Sequence, residues 1–589
     1  MKLSKDLMDK VQYWASATVF DERTRKELAK LIDAGDEGEL TDRFYRDLEF
    51  GTGGMRGIMG AGTSRMNVYN IRKATQALAL YLKQVYKDQD VKIALSYDSR
   101  HNSKIYVHAA VEVLAGHGFH SFITEEMRPV PFLSFMVRHY GCHAGICITA
   151  SHNPPQYNGF KVYWTDGGQL VPPHDKNVIK FYSEIKRYED IPHIPFPQLV
   201  AGQQFSLVGK ELDEAYFKTT DTFMFSSEKR DIKIAYSSLH GTGIFAIPPL
   251  LERFGFHNIS IVEEQSRPDG NFPTVSSPNP EDPTSLARVM ELGSTIKADL
   301  VLASDPDSDR LAIVVYEKGD WQILSGNQIG CLLFEYVLSS LKRTGNLPTD
   351  GLVIKTIVTT DLQKDIADYY GVACEETLTG FKWIAERVEA YESGKLKPYK
   401  SFICGTEESY GFMTGKSVRD KDAVLACALA ADMVAHYKAN GLGLVDVLEQ
   451  LYLRHQVYQE RLETVTLPGK EGEERIAEIM RTLRDNPPQE IKGLAVETIR
   501  DYLTGELRHL EDGNWVVKEK LTLPASNVLQ FCCQGAKLSI RPSGTEPKVK
   551  VYVSVFSHLD KSDKPSMHLL KDKLNALADD LVKALIPTQ

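Results

Sequence analysis

One pattern recurs along the chain and restricts the folds open to it: helix, short strand, turn, second helix, then an apolar strand running into a polar loop. In the first copy, Gly118-Phe119 precedes the strand-like HSFITEE and the helix-like PFLSFMVRHY. The apolar run Ala144-Gly-Ile-Cys-Ile-Thr-Ala150 then leads into Ser151-His-Asn-Pro-Pro. In the second, Gly255-Phe256 precedes NISIVEE, PTSLARVMELG follows, and Asp299-Leu-Val-Leu-Ala-Ser304 leads into Asp305-Pro-Asp-Ser-Asp-Arg310. The similarity of GFHSFITEE to GFHNISIVEE indicates duplication. A third, weaker copy runs from Gly371-Val-Ala-Cys-Glu-Glu376 through FKWIAERVEAY to Lys400-Ser-Phe-Ile-Cys404 and Gly405-Thr-Glu-Glu-Ser-Tyr-Gly411. Each copy follows a further apolar strand with a polar end: VKIALSYDSR, DIKIAYSSLHGTG and GLVIKTIVTT.

Alternating strands and helices predict three related α/β domains with mixed, largely parallel sheets. Ligand sites in such sheets lie beyond the carboxyl ends of the strands, where the repeat places Ser151, Asp305 and Glu407. One central cleft is therefore expected. Beyond residue 460 the pattern changes to a charged helix, short strands and the polar loop Arg541-Pro-Ser-Gly-Thr-Glu-Pro547, which reads as a C-terminal α+β domain. The expected domains are 1–210, 211–325, 326–460 and 461–589, and the first 40 residues or so read as amphipathic helix.

Composition narrows the partners. Lys and Arg number 69 against 79 Asp and Glu, a net charge of −10, so nucleic acid is not an expected partner, although a local basic pocket remains open. The longest apolar stretches, such as Ala423 to Met433, fall short of the ~20 residues that span a bilayer, and MKLSKDLMDK has no apolar signal region. No membrane partner and a cytoplasmic location are expected. The eight cysteines lack paired-ligand spacing and read as reduced, buried thiols.

The polar loops carry the chemistry. Ser151 follows a buried strand and is accompanied by His152, Asn153, two prolines and Lys161. A serine hydroxyl needs a base or a charge-stabilising site to act as a nucleophile. A strand-to-helix turn with Ser151 as N-cap is the plainer alternative. Asp305, Asp307 and Asp309 alternate along one short loop, an oxygen-only set of charge −3 that suits a hard cation, Mg²⁺ in a phosphate site. The loop lacks the glycine and distal glutamate of an EF-hand; a solvated acidic turn is the alternative. Arg541, Ser543, Gly544 and Thr545 have the parts of a phosphate cradle, or of an ordinary turn. GTGGMRG, residues 51–57, lacks the spacing of a nucleotide-binding loop but presents Arg56. Glu407 and Ser409, at the third strand end, are placed for contact with a polar ligand, with ion-paired scaffold residues as the alternative.

In this order, TASHNPPQYNGFK, DPDSDR, GTEESYGF and RPSGTEPK resemble the motifs of the α-D-phosphohexomutase family. GTGGMRG, PDGNFP at 268–273 and TLTGFKW at 377–383 extend the resemblance over nearly the whole chain. It implies a four-domain heart shape. It also implies that Ser151 carries a phosphoryl group, with Ser151, Asp305, Asp307 and Asp309 as ligands of Mg²⁺. His152 and Lys161 would assist proton transfer and charge stabilisation, with Arg56 and Arg310 nearby. Glu407 and Ser409 would hydrogen-bond the sugar hydroxyls, and Thr379, Gly380 and Lys382 would also bind the substrate. Arg541, Ser543, Gly544 and Thr545 would grip the non-reacting phosphate.

The implied reaction interconverts glucose 1-phosphate and glucose 6-phosphate, an isomerisation, with glucose 1,6-bisphosphate as intermediate and activator. EESYGF and TGFKW resemble the glucose-acting members more than the E-M-S-G form of mannose-accepting ones. Similarity to the phosphoglucomutase-2 and phosphopentomutase branch keeps mannose and pentose phosphates open. Ala423 in DKDA departs from the commoner DKDG. A phosphomonoesterase and a non-catalytic sugar-phosphate-binding protein are the remote alternatives. Intact Ser151, Lys161 and the three aspartates count against the second.

Overall fold

The structure is a computed structural model, and it describes residues 4–51, 54–87, 89–202, 204–226, 230–467, 469–543, 548–559 and 566–585. The chain divides into two compact units. Unit 1 comprises Met1–Leu324, Ala385–Ile403 and Ser409–Asn440; unit 2 comprises Ser325–Ile384, Cys404–Glu408 and Gly441–Gln589.

Unit 1 begins with the helices Lys5–Ser16, Glu22–Asp33 and Glu37–Phe44, so the amphipathic stretch is broken into short pieces. The cause is local: Ser4, Asp21 and Asp36 each accept a backbone N–H three residues on, which starts a new helix at each point. Their apolar faces bury Trp14, Phe20, Leu28 and Phe44 against Tyr69 and Tyr188.

The first sheet runs, edge to edge, Phe50–Gly51, Gly54–Ile58, Tyr157–Trp164, Ala144–Ile148, Lys92–Tyr97, His120–Thr124 and Phe205–Val208. Ala144–Ile148 is parallel to Lys92–Tyr97 and antiparallel to Tyr157–Trp164. The second sheet repeats this arrangement. Leu300–Ser304 is parallel to Ile234–Ser237 and antiparallel to Leu311–Glu317. Both sheets are thus mixed: parallel where the helical crossovers lie and antiparallel where the chain returns directly. AGICI and LVLAS are buried at every position, which explains their unbroken apolar character.

In unit 2, the fully buried strand Gly351–Thr356 is parallel to Ala373–Thr377. The C-terminal region forms an antiparallel sheet in the order Val457–Thr466, Lys548–Ser557, Ala536–Pro542, Leu529–Cys533, Leu494–Asp501, Glu506–Glu511 and Asn514–Lys520. The helix Met567–Leu585 packs on its first two strands. The architecture is therefore three α/β domains followed by an antiparallel C-terminal domain. All eight cysteines are free, with Cys374 and Cys532 only partly buried. Among the described residues, no helix is long and apolar enough to cross a membrane.

Candidate active site

Two matching turns build the site within unit 1. The turn after Ala144–Ile148 carries Thr149, Ala150 and Ser151 and leads back into the strand Tyr157–Trp164 rather than into a helix. Ser151 is 1% exposed and sits in the left-handed region at φ 51°. Its N–H donates to Thr149 Oγ1 at 2.8 Å, and its Oγ donates to Asp305 Oδ2 at 2.7 Å. His152 Nδ1 lies 3.2 Å from the same Oγ. A non-glycine residue in this conformation costs on the order of 1–3 kcal/mol and persists where its surroundings over-determine it.

The turn after Leu300–Ser304 carries the three aspartates. Asp305 Oδ1 accepts the N–H groups of Asp309 and Arg310, each at 3.0 Å, which curls the loop around its first carboxylate. Lys161 stands opposite Cys147 in the register, and from there its Nζ donates to Asp307 Oδ2 at 2.8 Å and Asp309 Oδ2 at 3.2 Å. Thr149 Oγ1 donates to Asp307 Oδ2 at 3.1 Å, and Lys421 Nζ lies 3.2 Å from Asp309 Oδ2. Arg56, opposite Gly159, donates to Asn153 Oδ1 at 2.9 Å, while Arg310 pairs with Glu281.

Burial governs the electrostatics. Desolvation and the negative charges of Asp307 and Asp309 push the Asp305 carboxyl well above the usual range. Burial acts the same way on Asp309, but Lys421 and Lys161 overcome it and hold that carboxyl well below its ordinary value. Burial disfavours the Lys161 charge, yet Asp307 and Asp309 raise its pKa, so the ammonium is retained. Desolvation, followed by the charges of Arg310 and Arg56, holds His152 well below its ordinary value, leaving a neutral imidazole beside the serine.

Each aspartate offers a carboxylate oxygen within 4.8 Å of the others, and all three residues are buried. Among the described residues, Asp307 Oδ1 and Asp309 Oδ1 have no hydrogen-bond partner. Buried anionic oxygens left in this state are costly. The donor set fits a hard cation bound by oxygens.

Ser151, His152, Lys161 and the three aspartates are thus brought into one cluster, with Arg56 on the serine loop and Arg310 closing the acidic one. Ser409 also belongs to unit 1. Thr379, Gly380, Lys382, Glu407, Arg541 and Ser543 belong to unit 2. There Glu407 ends the strand Ser401–Glu407, and its neighbour Glu408 accepts from Thr356 Oγ1 at 3.0 Å. Lys382 Nζ lies 5.3 Å from the centre of the Trp383 ring. Arg541 stands opposite Lys550, and the Ser543 N–H donates to Lys548 O at 2.8 Å. Gly544 and Thr545 lie outside the described residues. Sequence reasoning missed Thr149, Lys421 and the buried pair Asp98 and Arg100. Their signals were polar residues at strand ends, in TASHNPP and SYDSR, and just before a helix, in DKDA.

Three family models match in succession: phosphoglucomutase/phosphomannomutase alpha/beta/alpha domain I at residues 47–189, domain II at 214–319 and domain III at 325–453. The chain belongs to this family. It is a mutase, that is, an isomerase. A phosphoglucomutase of Staphylococcus aureus strain MSSA476 is 37% identical over 521 residues, 88% of this chain and 91% of that protein. The phosphoglucomutase of the bovine strain RF122 / ET3-1 is 37% identical over 539 residues, 91% of this chain and 94% of that protein. Among solved structures, a putative phosphomannomutase from Thermus thermophilus matches with a TM-score of 0.63 and 20% identity, over 91% of this chain and 99% of that one. The open form of the phosphoglucomutase parafusin from Paramecium matches with a TM-score of 0.62 and 15% identity, over 91% and 97% of the two chains. These structural matches establish the family's fold.

Proposed function

We propose that this chain is a phosphoglucomutase that interconverts glucose 1-phosphate and glucose 6-phosphate, with Ser151 as the phosphoryl carrier. Glucose 1,6-bisphosphate is both intermediate and activator. The observation that carries this reading is the Ser151 hydroxyl, strained at φ 51° and held 2.7 Å from Asp305 Oδ2 in a buried cluster of cations and carboxylates. Phosphoryl transfer depends on positioning and on neutralised oxygens more than on covalent chemistry from the protein.

Asp305, Asp307 and Asp309, with the phosphorylated Ser151, are the residues that would hold Mg²⁺, which when bound supplies charge neutralisation at the transferring group. Lys161, still charged, offers its ammonium to the same region, and Arg56 and Arg310 add guanidinium charge. When the sugar hydroxyl takes the phosphoryl group, one proton must leave that hydroxyl and one must reach the serine oxygen. Neutral His152, 3.2 Å from that oxygen, and Lys161 are the groups placed to move it. Glu407 and Ser409 are assigned to the sugar hydroxyls, and Thr379, Gly380 and Lys382 to substrate binding. Arg541, Ser543, Gly544 and Thr545 are assigned to the phosphate that is not reacting. A cytoplasmic location fits such a substrate.

The test is a coupled assay of purified protein with glucose 1-phosphate, mannose 1-phosphate and ribose 1-phosphate, run with and without a chelator. Glucose 1-phosphate should give the highest kcat/KM, chelation should abolish turnover and Mg²⁺ should restore it. A higher kcat/KM on either other sugar would overturn the glucose assignment. Release of free phosphate without isomer formation would mark a phosphomonoesterase.

A further inference from the structure

Arg100 ends the strand-derived sequence SYDSR and has no role in the chemistry proposed above, yet its side-chain hydrogen bonds all go to the serine loop. Nη2 donates to Ser151 O at 2.6 Å and also to Asn153 O, while Nη1 donates to Pro154 O at 2.9 Å and Tyr157 O at 3.0 Å. The side chain is buried beside Asp98, whose Oδ2 lies 3.4 Å from Nε. Asp98 is itself fixed, since its Oδ1 accepts the Arg100 N–H and the Ser103 hydroxyl, each at 3.0 Å. A planar guanidinium is suited to this task, because its donors are already arranged as a fork.

The motif PDGNFP, in the second α/β domain, closes the clamp from the other side. The Phe272 ring centre lies 4.9 Å from the guanidinium carbon of Arg100. Phe272 is buried and adopts φ 47°, a conformation that bulky residues rarely take. Gly270 runs against the backbone of the Arg100 turn: a Cβ there would meet His101 N at 2.6 Å and Ser99 O at 3.0 Å. His101 Nε2 and Asn271 Oδ1 are 2.8 Å apart. The second domain is therefore built onto the residue that grips the first domain's loop.

We propose that Arg100 is a positioning residue for phosphoryl transfer, and that PDGNFP is its buttress. By holding the Ser151 carbonyl while Thr149 Oγ1 holds the Ser151 N–H, it keeps the serine in the left-handed turn that aims Oγ at Asp305. The three further carbonyls lock the rest of the loop, and the Phe272 ring covers one face of the guanidinium. This inference rests on Ser151 being the carrier. Because Arg100 grips the loop and not the ligand, loosening it should lower kcat and spare KM.

The test compares Arg100→Lys, Phe272→Leu and Gly270→Ala, with Val314→Ala in the second sheet as a core-packing control. Melting midpoint, kcat, KM for glucose 1-phosphate and bisphosphate released per turnover are measured on each folded enzyme. A reacting atom misplaced by about 1 Å loses about a hundredfold in rate, so Arg100→Lys should lose about that much kcat, with KM changed less than about threefold. Phe272→Leu and Gly270→Ala should lose about tenfold, and all three should release more bisphosphate per turnover. Val314→Ala should melt lower with kcat unchanged, which is what a merely structural role would give in the others. If Arg100→Lys does not fold, Phe272→Leu decides, since it keeps every donor on the loop. Folded variants with kcat within about twofold of the parent would overturn the clamp. Peptide mapping of the active parent separates the two readings. Phosphate on a residue other than Ser151 sinks the carrier assignment, whereas phosphate on Ser151 with unimpaired variants sinks the clamp alone.

Discussion

In unit 1, Asp307 and Asp309 converge on Lys161, Asp309 also meets Lys421, and Asp305 holds Ser151. In unit 2, Asp361 and Glu376 converge on Lys355 and are also met by Lys537 and Arg500. The unit 1 network is buried, whereas the Asp361 and Glu376 side chains are about a third exposed and are met by Lys537 and Arg500 from strands of the C-terminal sheet. Lys355 lies on the fully buried strand Gly351–Thr356, where its Nζ meets Asp361 Oδ1 and Glu376 Oε1 at 2.8 Å each and Thr359 O at 3.1 Å. Lys537 reaches Asp361 Oδ2 at 2.7 Å, and Arg500 lies 3.6 Å from Glu376 Oε2. Each of these carboxylates thus has a cation near both of its oxygens. Burial works against the Lys355 charge, but Glu376 and Asp361 raise its pKa, and the network is closed. The unit 1 network is open: among the described residues Asp307 Oδ1 and Asp309 Oδ1 accept no hydrogen bond, Arg310 Nε coming only within 3.9 Å of the latter, and Asp305 is pushed towards its neutral form. A network that neutralises itself joins parts of a fold. One that leaves buried carboxylate oxygens without a donor is finished only by something bound.

Removing the serine tests the open network most severely. Ser151→Ala should lose about a thousandfold or more in turnover while melting within a degree or so of the parent. Coupled assay and circular dichroism measure the two. Retention of a tenth of the activity would place the chemistry elsewhere. The closed network should answer in stability instead. Lys355→Met leaves Asp361 and Glu376, each about a third exposed, with only Lys537 and Arg500, and should cost about 2–3 kcal/mol in denaturant unfolding, less than the ~3–5 kcal/mol of a fully buried broken pair, with kcat per folded molecule preserved. A loss below about 1 kcal/mol would show that the carboxylates are not held by Lys355.

The third prediction reverses the sign. In metal-free protein, Asp305→Asn keeps an oxygen for the Asp309 and Arg310 N–H groups and replaces the carboxyl that burial and its two neighbours force towards its neutral form. It should raise unfolding free energy by about 2 kcal/mol while abolishing turnover. Destabilisation would mean that the open network carries no stored repulsion. The smallest effect is at the edge of unit 2, where burial pushes the Glu460 carboxyl up to about 7 from 4.5. The folded state then binds this proton more tightly than the unfolded chain does. The stability it lends is full below the unfolded value and is lost as pH rises through 7. Glu460→Gln should remove on the order of 1–2 kcal/mol of that decline between about pH 5 and 8. Parallel stability curves for the two proteins would contradict the shift.

Legibility from sequence followed distance along the chain. Ser151 and the three aspartates could be located because each lies a few residues beyond a continuous apolar run in a recognisable repeat. Arg100 could not be given a role from SYDSR, because its partners are carbonyls more than fifty residues away and a ring in another domain. Lys421 likewise gains meaning only from Asp309. The single amphipathic stretch at the start became three helices, because capping by Asp21 and Asp36 outweighed the continuity of the pattern. The turn after Ser151 leads to a strand although NGFKVYW has no marker that separates a returning strand from a helix start.

Apolar runs, their repetition and the residue types at their ends depend on local periodicity and chemistry, so the sequence alone determined the α/β architecture, the order of the polar loops and the kind of ligand they suit. Which charges are neutralised and which remain open is decided by distances of about 3 Å between residues that the chain keeps far apart. Lys161 reaches across 146 positions to Asp307, and Lys537 across 176 to Asp361, and only folding sets those separations. Coulomb energy and desolvation change steeply over such distances, so the same lysine and aspartate can form a finished joint in one unit and part of an unfinished site in the other.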